Sequence, residues 1–439
     1  MAESPSGVAQ AGAGSAFLSR DFRLYQAARL LVILGAEAQS VAVMWQVYQI
    51  TGSPLALGFT GLALFAPGIL FMLAAGHVAD RYDRRWIILV CYAAQAVCTV
   101  ALMRFALHPT GHVWPIYAVL LAIGLGRAFS GPASAALLPS LVPTKHFVNA
   151  VTWGSIVFQI ANIAGPAVGG LLLTVPLTGM LAQWHGAAAV YVFTLATLVA
   201  YLVLVGAMRT KPARVMKNAF NLETMLAGFH YVWQTKLLLG SISLDLFAVL
   251  LGGATALLPI YAKDILHTGP WGFGILRAMP AVGALTVSLL MIVRPIRHSA
   301  GKLMLFCVGI FGAATIVFGV SRTMWISLLA LVMVGASDMV SVVIRASILQ
   351  LATPPEMRGR VSAVNWLFVG ASNEFGGFES GLTAHWWGTV RAVVIGGIGS
   401  LVVTGLAGVL FPALRKADAL SAESLMQSNM QQSIAEPAD

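Results

Sequence analysis

The feature that most constrains this chain is a succession of apolar runs, each long enough to cross a bilayer, separated by short polar connections. A membrane-spanning helix needs roughly 20 predominantly apolar residues. Backbone polar groups inside a bilayer must be satisfied within the protein, as they are in a helix. The pattern therefore predicts an all-α membrane protein with twelve spans. The expected spans cover about residues 24–50, 55–78, 86–107, 113–138, 147–174, 187–208, 238–261, 271–293, 302–320, 325–351, 361–387 and 391–411.

The composition supports a membrane protein and excludes several function classes. The chain is 58% hydrophobic and 10% charged, whereas soluble domains are about 45–50% apolar and about 25% charged. Its net charge of +10 is distributed between the apolar runs and forms no basic face, so we expect no nucleic-acid partner. The sequence has no Walker motif, and its histidines are scattered. We therefore expect no enzyme, no cofactor and no metal site.

The distribution of Lys and Arg predicts the topology. With the N-terminus in the cytoplasm, seventeen basic residues fall in cytoplasmic segments and only Arg104, Lys263, Arg322 and Arg391 fall on the opposite side. Cytoplasmic connections carry an excess of Lys and Arg in membrane proteins. We therefore expect both termini in the cytoplasm. We also expect a location in the inner membrane, and a protein that functions as a monomer in the lipid bilayer.

Weak internal symmetry divides the chain into two halves. The segment 149–153 (NAVTW), which opens span 5, is similar to the segment 362–366 (SAVNW), which opens span 11. Such repeats are common in transporters. The expected organisation is a disordered cytoplasmic N-terminus (1–20), a six-helix bundle (21–208), a cytoplasmic linker with an amphipathic segment (209–237), a second six-helix bundle (238–414) and a cytoplasmic tail (415–439).

Three motifs resemble those of the major facilitator superfamily. The polar segment 76–85, between spans 2 and 3, matches its first cytoplasmic loop motif, except that Asp83 stands where the family usually has Gly; the matching residues are Gly76, Asp80, Arg81, Arg84 and Arg85. Arg127, followed by Gly131 and small residues, is similar to the fourth-helix motif. The third match is to the fifth-helix antiporter motif of the family. It comprises Gly165, Pro166, Gly169 and Gly170, with Ala161 in place of the first glycine of the motif.

The resemblance implies a fold and a function. The fold would be two six-helix bundles related by a pseudo-two-fold axis, with a central cavity and alternating access. The subfamily pattern resembles the branch that contains enterobactin-type siderophore exporters. The function would be proton-coupled efflux of a small molecule, siderophore or drug-like, so its partners would be that substrate and protons. An importer or uniporter of the same fold is an alternative, and a non-transporting membrane receptor or scaffold is another.

The polar segment 76–85 has two interpretations. Asp80 ends span 2, where a carboxylate is unfavourable unless cations flank it. Arg81, Arg84 and Arg85 supply those cations. The resemblance implies a charge latch between helices that opens and re-forms during transport, whereas the simpler interpretation is that the charges only mark the cytoplasmic side.

Ionisable residues at membrane depth are candidate functional groups, because a charge there costs about 2.5–3.5 kcal/mol even on insertion scales. The candidates for proton coupling are Glu37, Arg127, Asp338, Arg345 and Glu374. Glu37 with Arg127 is favoured, because spans 1 and 4 line the cavity in this family, although a static pair is the alternative for each residue. Asp245, near the start of span 7, is expected to face the cytoplasmic headgroups.

The remaining candidates concern the substrate cavity and span 5. Polar and aromatic residues expected to line the cavity, or else to pack in the core, are Gln39, Trp45, Phe129, Phe158 and Asn365. In span 5, the three glycines of the antiporter motif have no side chains, and its proline has no backbone N–H donor. Within two turns of helix, these features permit a kink and close helix contact. Ordinary small-residue packing is the alternative there.

Overall fold

A computed structural model of the protein describes residues 15–108, 111–143, 146–174, 186–209, 222–294, 296, 298–354 and 356–417. Within these ranges the regular secondary structure is helical. In the first half, spans 1 to 6 are Arg20–Thr51, Pro54–Leu70 continued by Met72–Arg81, Arg84–Leu107, Trp114–Leu137, Phe147–Thr174 and Ala187–Gly206.

The second half begins with a short helix, Leu222–Gln234, which leads into span 7. Span 7 runs from Lys236 to Ile265 and is interrupted at residues 252–253, after the helix Lys236–Leu251. Spans 8 to 12 are Gly269–Val293, Ala300–Val320, Met324–Ala352, Arg358–Trp387 and Thr389–Leu410. A last short helix is Pro412–Lys416.

Ten of the described helices are long and apolar enough to cross a membrane. Spans 2 and 11 are the two expected spans outside that set. Span 2 breaks at Phe71, which divides it into helices of 17 and 10 residues, each too short to count as a span by length. Span 11 is long enough to cross a membrane, at 30 residues, but its charged side chains make it less apolar than the other spans. The expected all-α membrane fold is confirmed, and both exceptions have a local cause.

The two halves pack in the same way. In the first half, span 1 packs on spans 5 and 6, span 4 on spans 2 and 3, and span 3 on span 6. Each of these pairs recurs six spans later, as span 7 on 11 and 12, span 10 on 8 and 9, and span 9 on 12. The bundles meet where span 5 packs on span 8 and where span 2 packs on span 11. A two-fold axis that relates each span to the one six places along the chain exchanges these two contacts. The predicted all-α architecture of two similar bundles is therefore confirmed, with helix contacts related by a pseudo-two-fold axis.

The polarity of the packing suits a bilayer. Large apolar side chains are exposed on the outside of the spans, among them Trp325, Val293 and Val409. The first half has an apolar core that includes Phe22 and Tyr201, and the second half has one that includes Met304. The exposed apolar surface is the part of the protein that lipid chains would cover.

The segments between and beyond the bundles are only partly described. Residues 1–14, 210–221 and 418–439 lie outside the described ranges, so the N-terminus before residue 15, the first part of the linker and the tail beyond residue 417 stay predictions. Residues 15–20 depart from the expected disorder, because Ser15–Leu18 forms a short helix and Arg20 begins span 1. The linker's helical part is present as Leu222–Gln234. It packs on span 11, and the hydroxyl of Tyr231 donates to the carbonyl oxygen of Ala352 at 3.0 Å.

Candidate functional site

The two bundles enclose a cavity of about 590 Å³. Spans 1, 2, 4 and 5 line it from the first half, and spans 7, 8 and 11 from the second. Four charged residues line it, two acidic and two basic: Glu37, Arg127, Arg277 and Glu374. Among the described lining residues the formal charges therefore balance.

An ion pair crosses this cavity from one bundle to the other. Arg277 Nη2, on span 8, lies 3.7 Å from Glu37 Oε2, on span 1. The same nitrogen donates to Ser40 Oγ at 3.0 Å, and Nη1 contacts Met44 Sδ at 3.4 Å. The sequence favoured Arg127 as the partner of Glu37, whereas the structure places Arg277 beside it. Arg127 is exposed in the wall of the same cavity.

Glu374 occupies the opposite wall, on span 11. It interacts electrostatically with Arg277, Arg127 and Glu37. Gly61 of span 2 makes room for it, because a Cβ at that position would collide with the Glu374 Oε2 atom. The glycine therefore allows a carboxylate of the second bundle to lie directly against the first bundle.

The antiporter-motif residues of span 5 hold the walls of this cavity together. A Cβ on Gly165 would lie 2.6 Å from Cβ of Glu37, and a Cβ on Gly169 would lie 2.8 Å from Cα of Ala38. These two positions bring span 5 against span 1 at Glu37 itself, closer than side chains allow.

The other face of the motif packs on span 8. A Cβ on Gly170 would lie 2.7 Å from Cα of Gly274, and a Cβ on Gly274 would lie 2.5 Å from the carbonyl oxygen of Pro166. Gly274 lies one turn before Arg277. Span 5 thus sets the position of both spans that carry the central ion pair, and this bundle contact lies away from the chain termini.

Two other contacts join the bundles at the same end. In the first, Gly381 of span 11 lies against Pro54 and Gly58 of span 2. In the second, the hydroxyl of Tyr48 at the end of span 1 is hydrogen-bonded to the Asp264 carboxylate, at the end of span 7. The packing therefore closes the cavity at the end away from the termini.

The predicted cavity residues have different positions in the structure. Gln39 and Phe158 line the cavity, and Gln39 Oε1 accepts a hydrogen bond of 3.0 Å from Thr99 Oγ1. Trp45 lies elsewhere: it is buried and stacks on Phe273, with ring centroids 6.2 Å apart. Burial of a large ring in the core contact between spans 1 and 8 explains that position.

Phe129 and Asn365 also lie outside the set that lines the cavity. Phe129 faces Phe71 at the break in span 2, with ring centroids 6.5 Å apart. The Oδ1 atom of Asn365 is buried and has no hydrogen-bond partner among the described residues. Trp366, the next residue, lines the cavity and is 75% exposed. The aromatic wall of the cavity is thus Phe158 from the first bundle and Trp366 from the second.

A second charged cluster lies inside the second bundle. Arg345 of span 10 forms an ion pair with Asp245 of span 7, and their side chains are 4% and 6% exposed. Asp338 lies two turns before Arg345 on span 10, and all three residues line a cavity of about 220 Å³. The expectation that Asp245 faces the headgroups is wrong, because span 7 starts at Lys236 and Asp245 lies more than two turns inside it.

The polar segment 76–85 ties helices of the first bundle together. Asp83 caps span 3, because its side chain accepts a hydrogen bond from the backbone N–H of Arg85 at 2.9 Å. Arg84 is buried and donates to the carbonyl oxygen of Ala136, in span 4, at 2.8 Å, while Arg85 donates to that of Gly206 in span 6. Span 2 ends at Arg81, and the Asp80 side chain lies outside the described part of the chain.

Besides the pairing of Glu37 with Arg277, sequence reasoning missed two parts of these sites. The first is the role of Asp245 in the second cluster. The second is a set of three residues that line both cavities: Thr255, Val369 and Asn373. A signal for the first was available, because paired glycines at 252–253 in the middle of an apolar run mark a helix break at the depth of the cluster.

Comparisons with known proteins agree with this architecture. The family model for transmembrane secretion effectors matches residues 11–437. An enterobactin exporter of Escherichia coli O1:K1 is 28% identical over 393 residues, which cover 87% of this chain and 86% of that protein. One of Citrobacter koseri is 27% identical over 412 residues, which cover 90% and 92%.

Solved structures show the same fold. A bacterial homologue of the human lysosomal transporter Spinster, in an inward-facing and unoccupied conformation, has a TM-score of 0.69 at 15% identity, covering 94% of this chain and 99% of that one. A bacterial homologue of the iron transporter ferroportin, in an inward-facing state, has a TM-score of 0.65 at 16% identity, covering 90% and 99%. The chain belongs to the transmembrane secretion effector family of the major facilitator superfamily and is a membrane transporter.

Proposed function

We propose that this protein exports a small molecule across the inner membrane by alternating access, driven by the proton gradient. The observation that carries the proposal is the central cavity between the two bundles, with charged side chains from both bundles in its walls. Its relatives are enterobactin exporters, which supports efflux and makes a siderophore the first substrate class to test. The topology count supports cytoplasmic termini.

The bundle interface supports rocking as the transport movement. The contacts between spans 5 and 8 and between spans 2 and 11 are formed by glycines, which let two rigid surfaces approach and part without repacking large side chains. The bundles are closed at the end away from the termini. With the termini in the cytoplasm, this state receives substrate from the cytoplasm, and rocking then opens the cavity to the other side.

The central ion pair has a defined task in this cycle. Glu37 and Arg277 belong to different bundles, so their separation changes when the bundles rock. A pair at a partly exposed site contributes little to stability by itself. Its use is to hold one state until an anionic or cationic group of the substrate competes for Glu37 or Arg277.

The experiment is transport by the purified protein in proteoliposomes, with enterobactin as the probe. We expect an imposed proton gradient to drive accumulation of enterobactin, with movement from the cytoplasmic to the opposite face. Gly165→Leu should abolish transport, because its side chain would displace Glu37. Gly405→Leu is the matched control, since nothing lies within 4 Å of a Cβ placed on Gly405 of span 12.

The outcomes separate export from the alternatives. Accumulation in the reverse direction would identify an importer, and transport that only equilibrates the substrate would identify a uniporter. Transport by Gly165→Leu at the rate of the control variant would remove the span 5 contact from the mechanism. Failure of the wild-type protein to move enterobactin, with other siderophores and cationic drugs also excluded, would contradict the proposed function.

A further inference from the structure

The two charged clusters differ in their charge balance. Around the central cavity, two carboxylates face two guanidinium groups. In the cavity of the second bundle, Asp245 and Asp338 face one guanidinium group, that of Arg345. Among the described residues that line it, these three carry all the formal charge, so one negative charge is left over. An unbalanced charge at membrane depth is costly, and a bound cation removes it.

The surplus charge can be located. Asp245 is engaged with Arg345 in the buried ion pair. Asp338 lines the same cavity and forms no hydrogen bond or ion pair with any residue that the structure describes. On the same side of span 10, between Asp338 and Arg345, Ser341 is 1% exposed, and its hydroxyl also has no partner among the described residues. The cavity thus contains a carboxylate that is available to a ligand. The unpaired hydroxyl of Ser341 lies one turn away on the same span, outside the set of residues that line the cavity.

The backbone around this cavity favours a cation as well. Span 7 is interrupted in the wall of this cavity: its first helix ends at Leu251, and Gly252 and Gly253 line the cavity. The C-terminal end of a helix carries a partial negative charge from its free carbonyl groups. In transporters, interrupted spans of this kind coordinate Na⁺ or protons with unwound carbonyls and half-helix ends.

The position of the cavity connects it to the transport pathway. Thr255, Val369 and Asn373 form a wall shared with the central cavity, so the two spaces are separated by a single layer of residues. Asn373 lies on span 11 one residue before Glu374, which faces the central ion pair. Occupancy of the inner cavity can therefore change the shape and charge of the substrate cavity through span 11.

From the surplus charge, the unpaired carboxylate and the interrupted helix, we propose that this cavity binds the monovalent cation that drives transport, a proton or Na⁺, and that Asp338 is the group that receives it. The inference rests on the proposed function only in assigning the cation to transport. Asp338 takes the place of Glu37, which the sequence favoured, because Glu37 has Arg277 to itself in an ion pair, whereas the one arginine in the cavity of Asp338 is already paired with Asp245.

The test measures cation binding without any substrate. Proteoliposomes of the full-length protein are adsorbed on a solid-supported membrane, and charge displacement is recorded after a pH jump at constant Na⁺ and after a Na⁺ jump at constant pH. We expect one of the two jumps to displace charge, and which one does identifies the cation. Asp338→Asn should lose the signal, because an amide neither binds a proton nor compensates Na⁺.

Glu379→Gln is the matched control. Like Asp338, Glu379 is an acid at membrane depth, but it lies on span 11 in a separate apolar groove with Phe375 and Phe378. It should keep the full signal. Asp338→Glu should restore a displacement, and size-exclusion chromatography of each variant establishes that it is folded and monodisperse.

Each outcome decides the proposal. A displacement in Asp338→Asn equal to that of the wild type overturns it, and so does loss of the signal in Glu379→Gln with retention in Asp338→Asn. A wild-type protein that displaces no charge with either cation overturns it too. Charge displacement that depends on Asp338, in a protein that does not accumulate any tested substrate, would support the cation site and contradict the proposed export function.

Discussion

The buried ion pair in the second bundle leads to an asymmetric prediction about its two partners. Arg345 and Asp245 are almost fully buried, and Asp338 faces the same cavity. Arg345→Gln leaves two carboxylates without a guanidinium group. Asp245→Asn leaves Arg345 beside a second carboxylate that can take over the pairing. The loss of the base should therefore destabilise the protein much more than the loss of this acid.

The magnitudes follow from the burial. Removing one partner of a buried ion pair costs about 3–5 kcal/mol, because the other charge is left uncompensated. Arg345→Gln should show this full cost. Asp245→Asn should cost only about 1–3 kcal/mol, which is the range for an unsatisfied buried hydrogen-bonding group. For a unit of 150–250 residues, about 2–4 °C of Tm is lost per kcal/mol, so Arg345→Gln should lower Tm by roughly 6–20 °C.

The assay is thermal unfolding of the purified variants in detergent, followed by tryptophan fluorescence. Arg391→Gln is the matched control, because it removes the same charge from an exposed position at the start of span 12. We expect it to unfold at nearly the temperature of the wild type. The reasoning is refuted if Arg345→Gln unfolds together with this control, or if Asp245→Asn is the less stable of the two variants.

Three further predictions concern the interface and the first loop. Exchanging the central charges, as Glu37→Arg with Arg277→Glu, should recover more transport than either single change, and equal loss in all three variants would contradict a direct pair. Gly274→Val should stop transport with normal expression, because the added atoms meet the Pro166 carbonyl on span 5, whereas Gly405→Val should be active. Asp83→Ala should cost about 0.5–2 kcal/mol by removing the cap of span 3; Asp83→Ser should keep most of that stability, and thermal unfolding distinguishes them.

The cap at Asp83 shows how a departure from a family motif finds a local explanation. The usual glycine at this position permits backbone conformations that other residues rarely adopt. In this protein the backbone of Asp83 is extended, with φ of −62° and ψ of 116°, and its carboxylate accepts a hydrogen bond from the first turn of span 3. The substitution replaces conformational freedom with a capping interaction, and the sequence alone showed the departure without its reason.

Much of the fold was predictable because its cause is local. A run of about 20 apolar residues is long enough to span the lipid, whatever the rest of the chain does. The same holds for the turn at Gly52, which has φ of 60° and ends span 1. It holds in part for the glycines of span 5, since small residues in a membrane helix predict close packing but do not name the neighbour.

The partners of the charged residues were not predictable in this way. Placing Glu37, Arg127, Asp338, Arg345 and Glu374 at membrane depth required only the sequence. Which charges meet depends on the rotation and spacing of helices far apart in the chain. Glu37 meets Arg277 because glycines bring spans 1, 5 and 8 together at one level. Asp245 meets Arg345 because span 7 packs on span 10 with Asp245 on the side that faces it.

The sequence by itself determined that this chain is a membrane protein with two similar halves, and it favoured a transporter, since hydropathy, charge distribution and motifs are properties of single segments. Only the tertiary structure decided that the charges form one balanced cluster between the bundles and one unbalanced cluster within the second bundle. The physical reason is that the cost of burying a charge is fixed by each residue, whereas its compensation depends on which helix faces it.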